Sequence, residues 1–271
     1  MKRMLMILGL TLTLCLSVPV ADMAAAKTAT VNSPVLLQIN QYYVTYTAPR
    51  SPYLDQNNRL MVPLRSLSDL LAAEVTYDAV NKSAVISRKN LFNQKENRYS
   101  LKMTIGVKDI ELNGVASEMD TIPVLIQGSM YIPLSVVAKA LHLDTQWDSN
   151  QRITRISEDP AYLPSGIVSD EEHVLGQHSD PSVRPIQSII QTIANKDGVP
   201  LIKMQLTSQN TGKSTFGDNH YLRFYVQDSN FSHFDLYNQA QTKPGATFSV
   251  ETTNTILAKS LRYILVEPCV D

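Results

Sequence analysis

The sequence predicts an α+β fold, a duplicated hairpin-helix-hairpin domain followed by a small antiparallel β-sandwich-like domain. Two observations carry that expectation. One supersecondary pattern occurs twice in the first half of the chain, at a fixed offset of seventy residues. The second half breaks into short runs of β-branched and aromatic residues separated by turn-forming residues. With 271 residues, 44% of them hydrophobic, the chain can bury a substantial core and divides naturally into two domains.

Residues 1–26 read as a secretory signal peptide. Lys2 and Arg3 precede an apolar stretch from Met4 to Val20, and Ala24, Ala25 and Ala26 form a small-residue cleavage site before Lys27. Left uncleaved, this stretch would approach the length of a membrane anchor, the one route to a membrane that the sequence offers. Cys15 follows Leu14 inside the apolar run, where a lipoprotein signal wants a small residue. Losing Lys2, Arg3 and Asp22 takes the formal net charge from -1 to -2 and leaves Cys269 without an intrachain disulfide partner. Cys269 reads as a bystander thiol. A cysteine-poor exported chain of this size points to a bacterial protein, secreted or held at the cell surface. No run of Lys or Arg offers a footprint for a phosphate backbone, so nucleic acid is not an expected partner.

The duplicated domain is expected over 34–157, with copies centred on 60–87 and 130–157. Met61-Val62-Pro63-Leu64 aligns with Tyr131-Ile132-Pro133-Leu134, and the alignment runs without a gap through Tyr77-Asp78 and Trp147-Asp148 to Ile86 and Ile156. In each copy a short apolar strand meets a proline, which suits a helix start because its missing N–H would be unpaired there. Leu64, Leu67, Leu70 and Leu71, and likewise Leu134, Val137, Ala138 and Leu141, then fall on one helical face. Tyr77 and Trp147 end the next strand as aromatic anchors, Asp78 and Asp148 open a turn, and a closing strand follows. Upstream lie the strand signals Leu36–Thr47 and Met103–Leu112, the second ending in the Asn113-Gly114 hairpin pair. The polar, basic segment 89–98 is the expected connection between the copies.

This twofold pattern of Pro-Leu, amphipathic helix and aromatic-Asp resembles the copper amine oxidase N-terminal-like (stalk) domain found in secreted proteins of spore-forming Gram-positive bacteria. Tyr77 stands where tryptophan is usual. The resemblance implies a module for spacing or contact, without oxidase activity. The family's catalytic domain carries an Asn-Tyr-acidic triplet and a His-x-His pair, and this chain has neither.

Residues 158–182, rich in Pro, Ser, Gly and acidic side chains, read as a linker, and 183–271 as the β-sandwich-like domain. Its strands are expected at Leu201–Leu206, Tyr221–Val226, Phe231–Leu236, Ala246–Val250 and Leu261–Val266. The run containing Ile186, Ile189, Ile190 and Ile193 fits a helical stripe, but its few helix formers favour a strand returning through Asp197-Gly198.

Candidate chemistry is sparse. Asp170, His173 and His178 gather metal-ligand types in the linker, yet their spacing matches no established site. His142 reads as a helix-end residue, and His220 and His233 sit beside strands without a nucleophile motif. Thr211-Gly212-Lys213-Ser214-Thr215 resembles the end of a phosphate loop, but position 207 is Thr207 and no helix pattern follows, so a hairpin turn is expected. Gly-x-Ser-x-Gly and His-Glu-x-x-His are absent, and nothing calls for a cofactor. The leading expectation is a non-catalytic extracellular or cell-surface stalk or binding module that contacts a cell-wall glycan or an envelope protein. Tyr42, Tyr43, Tyr46, Tyr53 and Tyr162 are candidates for a stacking platform, against the competing expectation that they are sheet residues. The alternatives are a metal-dependent or carboxylate-based extracellular enzyme and a self-assembling surface or spore-coat protein.

Overall fold

A computed structural model describes residues 30–89, 98–168, 178–254 and 260–271. The expected signal peptide, Lys27, Cys15, and Asp170 and His173 of the linker cluster lie outside the described residues.

The first copy of the repeat is reached through β1 (Thr30–Pro34), β2 (Leu37–Ile39), β3 (Tyr42–Thr47), β4 (Tyr53–Leu54) and β5 (Leu60–Pro63). It continues as α1 (Leu64–Leu70), β6 (Glu74–Asp78) and β7 (Ser83–Lys89). Then follow β8 (Arg98–Thr104), β9 (Asp109–Leu112), β10 (Val115–Glu118), β11 (Val124–Ile126) and β12 (Ser129–Pro133). The second copy closes with α2 (Leu134–Leu141), β13 (Asp144–Asp148) and β14 (Ile153–Ser157). A 3-10 turn (Pro160–Tyr162) and the single-turn α3 (Ser165–Val168) lead on to β15 (Val183–Ala194), β16 (Pro200–Asn210), β17 (His220–Gln227), β18 (Phe231–Tyr237), β19 (Thr247–Asn254) and β20 (Tyr263–Val270).

The offset of seventy survives in three dimensions. Pro63 and Pro133 both sit in extended conformation before a helix, and each helix buries its expected stripe, Leu67 and Val137 at 1% and 0% exposure. The Asp78 carboxylate accepts from the N–H groups of Val80 and Asn81, and that of Asp148 from Asn150 and Gln151. Lys82 and Arg152 then adopt the same left-handed conformation, φ 50° and 53°. The copies meet through β5 and β12, which pair antiparallel with Val62 opposite its own equivalent, Ile132. A pseudo-twofold axis therefore passes between these two residues. Asn113-Gly114, both at positive φ, makes the two-residue turn joining β9 to β10.

The expected α+β class is overturned, because the molecule is mostly β. The described residues hold twenty strands, against helices of only seven and eight residues and two shorter turns. The helices stop early because Ala72 and His142, at φ 47° and 54°, end them after two turns. The strands do not form separate half-units either. They form four sheets, in the orders β1-β15-β16-β19, β10-β9-β8-β7-β6, β11-β12-β5-β4 and β13-β14-β2-β3-β20-β17-β18.

The last of these sheets crosses the boundary expected at 158–182. β3 pairs with β20, and β20 with β17, so strands on both sides of that segment share one sheet. Residues 183–271 form no self-contained sandwich. The central strands of the sheet of seven are buried on both faces: Leu222, Phe224, Val226, Ile264 and Val266 meet Ile190, Met204 and Leu206 across one layer. On the other, Tyr225, Tyr263, Leu265, Tyr42 and Val44 join the leucines of α1 and α2. Burial on both faces leaves β3 and β20 covered at almost every position, with no alternating exposed side. The Ile186–Ile193 run is a strand, β15, returning through the turn at Gly198 into β16.

Candidate functional site

The strand-end aromatic residues of the repeat, Tyr77 and Trp147, do not anchor the core. Tyr77 is 45% and Trp147 49% exposed, while Tyr42, Tyr43, Tyr46 and Tyr162 are all buried. Tyr53 is half-buried, under the Arg50 guanidinium, 4.4 Å from its ring centroid. These tyrosines are therefore structural residues of the sheets and of the 3-10 turn, the competing expectation, and form no shared platform. The two residues read as folding anchors are the ones that face outward.

Their positions follow from sheet order. Tyr77 lies on β6, an edge of the five-stranded sheet, and Trp147 on β13, an edge of the seven-stranded one. The sheet β11-β12-β5-β4, which holds the pseudo-twofold axis, has β11 and β4 as its edges. A groove opens between each pair of edges. The Trp147 groove, about 360 Å³, is floored by Leu54, Leu60 and Leu134 and rimmed by Asn58, Thr145 and Thr154. The Tyr77 groove, about 60 Å³, is floored by Leu64, Leu125 and Met130 and rimmed by Arg65 and Ser129.

The grooves are symmetry mates. Leu64 and Leu134, Arg65 and Ser135, Val75 and Thr145, Tyr77 and Trp147, and Met130 and Leu60 are equivalent at the repeat offset. Each takes its helix start and aromatic strand from one copy and its floor strand from the other, so neither copy could make a groove alone. Hydrogen bonds fix the turn behind each aromatic residue. Asn81 and the backbone amides hold the Asp78 carboxyl below its ordinary range, and the Gln151 amide and Arg155 guanidinium do the same for Asp148. The Tyr77 groove is the smaller, with Arg65 in place of Ser135 at its rim.

Residues 38–156 match the copper amine oxidase N-terminal domain family. No curated protein and no solved structure matches the chain. In that family the amine oxidase N-terminal domain is a non-catalytic, stalk-type module, and no amine oxidase catalytic domain is found in this chain. The matched span takes in both copies, both grooves and the axis between Val62 and Ile132.

The remaining sequence candidates are scattered. Of the linker cluster only His178 is described, and its carbonyl accepts from the Val270 amide. Among the described residues no three His, Cys, Asp or Glu side chains group as metal ligands. His142 caps α2 in left-handed conformation, with the Tyr99 ring 4.8 Å away. His220 stacks on Phe216 at 4.4 Å, with Nε2 3.3 Å from Asp180; burial lowers its pKa against the opposing pull of that carboxylate. His233 is exposed on β18. The Thr211–Thr215 segment is no phosphate loop, and no hairpin turn either. It crosses from β16 in one sheet to β17 in another, with the Asn210 carboxamide bonded to the Gly212 amide and the Ser214 carbonyl.

Proposed function

We propose that the chain is an exported, non-catalytic binding module of the cell envelope, and that its two symmetry-related grooves take sugar rings of a wall glycan. The observation that carries the reading is the pair of half-exposed aromatic residues, Tyr77 and Trp147, at equivalent grooves. An aromatic face beside an apolar floor, with hydroxyl and amide groups at the rim, offers a pyranose both a stacking surface and hydrogen-bond partners. Two linked sites favour a polymer over a single sugar, because the second contact is made at high effective concentration. The amine oxidase N-terminal domain match supports a contact or spacing role and supplies no chemistry of its own.

The test is cosedimentation of residues 27–271 with purified cell-wall glycan. Retention above a control protein is expected, reduced in Trp147→Ala, reduced less in Tyr77→Ala, and lost in the double variant. Retention equal to the control, or unchanged in the double variant, would reject the grooves as the contact.

A further inference from the structure

A third depression differs in kind from the aromatic grooves. It encloses about 660 Å³ where the stretch Thr30–Leu36 and β15 meet the segment Pro49–Leu54 and the turn at Gln151 and Arg152. Arg50, Arg152 and Arg184 line it, and among the described residues no Asp or Glu does. Arg184 lies outside the amine oxidase N-terminal domain span and the other two inside it, so only the whole chain builds this cleft.

Among the described residues no carboxylate pairs with any of the three arginines. Arg184 donates Nη1 to the Gln151 carbonyl at 3.2 Å and Nη2 to Gln209 Oε1 at 2.9 Å, both uncharged acceptors. Arg152 stands exposed at the tip of its turn, and Arg50 lies over the Tyr53 ring. Guanidinium groups lining one cleft without a facing carboxylate repel one another. An oxyanion relieves that repulsion, and guanidinium forks match its geometry. Val31, Val35 and Ile186 supply apolar wall for the rest of a ligand, in a volume typical of small-molecule sites.

We propose that this cleft binds a phosphate-bearing ligand, its phosphate held by Arg50, Arg152 and Arg184. Phosphate is preferred over carboxylate because its higher charge and three terminal acceptors answer three cations. The site is independent of the glycan grooves.

Titration calorimetry on residues 27–271 with glycerol phosphate, inorganic phosphate, gluconate and glycerol tests the assignment. Saturable binding is expected for the two phosphates, weakening as salt rises, with none for glycerol. Arg152→Gln, at an exposed turn tip, and Arg50→Gln should each weaken binding at least tenfold while leaving the circular dichroism spectrum unchanged. Trp147→Ala should bind phosphate as the parent does, which separates this site from the grooves. Absence of saturable phosphate binding, equal binding in an Arg50→Gln/Arg152→Gln double variant, or tighter binding of gluconate than of glycerol phosphate would overturn it.

Discussion

Arg88 and Glu158 occupy the same position in the two copies, seventy residues apart, and bond to each other, Nη1 to Oε2, at 2.5 Å. Equivalent positions can touch only near the axis that relates them, so this pair and the Val62–Ile132 pair locate the pseudo-twofold. Both side chains are almost fully buried, at 4% and 8% exposure. Arg88 also donates to the Leu141 carbonyl and lies under the Tyr162 ring, while the Asn40 side chain bonds both backbone groups of Glu158. Removing one partner strands a buried charge. Arg88→Met should therefore cost about 3–5 kcal/mol in urea unfolding, and Arg88→Met with Glu158→Leu should recover most of it.

The outward aromatic residues invert the usual expectation for large side chains. A buried aromatic truncated to alanine loses about 3–5 kcal/mol. Half-exposed Tyr77 and Trp147 should each lose less than about 1 kcal/mol on substitution by alanine. Urea midpoints of Tyr77→Ala and Trp147→Ala, compared with buried Tyr42→Ala, check this directly. A loss at Trp147 matching that at Tyr42 would restore it as a folding anchor.

How much of this was legible in the sequence varied with the range of the interaction. The helix starts at Pro63 and Pro133, the Asp turns and the apolar stripes are local, and each was read where it occurs. Which strands pair is not a local property. Nothing in Tyr42–Thr47 announces that its neighbour is Tyr263–Val270, more than two hundred residues on, and so the sheet that unites the chain was missed. The outward position of Tyr77 and Trp147 has no local signal, because an aromatic residue at a strand end looks the same whether its strand is central or at an edge. The arginine cleft assembles residues 50, 152 and 184, and had no signal to find.

Cys269 is fully buried on β20, and burial, with a smaller contribution from Glu267, pushes its thiol up to about 12 from an ordinary 9.0. A thiol reagent should leave it unmodified in the native protein and react at once in guanidinium, and no reductant-sensitive dimer should form. The linkage has a definite sign. Above pH 9.0 the unfolded chain releases this proton while the folded one keeps it, so stability is full below that value and falls as pH rises toward 12. Cys269→Ala should flatten the alkaline slope of the urea midpoint.

Gly166, in α3, lies directly against the Phe231 ring, where a Cβ would collide with it. This contact seats part of the segment expected to be a linker onto β18. Gly166→Ala should destabilise by about 1–3 kcal/mol, and Phe231→Leu should relieve part of that loss. Equal unfolding midpoints for parent and Gly166→Ala would show that the ring moves aside freely.

β20 lies between β3 and β17, so a strand made late in synthesis fills the middle of the largest sheet. Until Val270 has emerged, β3 has no partner on that side and the two halves of the sheet cannot join. The largest sheet thus closes only through contacts more than two hundred residues apart along the chain, a topology that makes its assembly slow and couples it to completion of the whole fold.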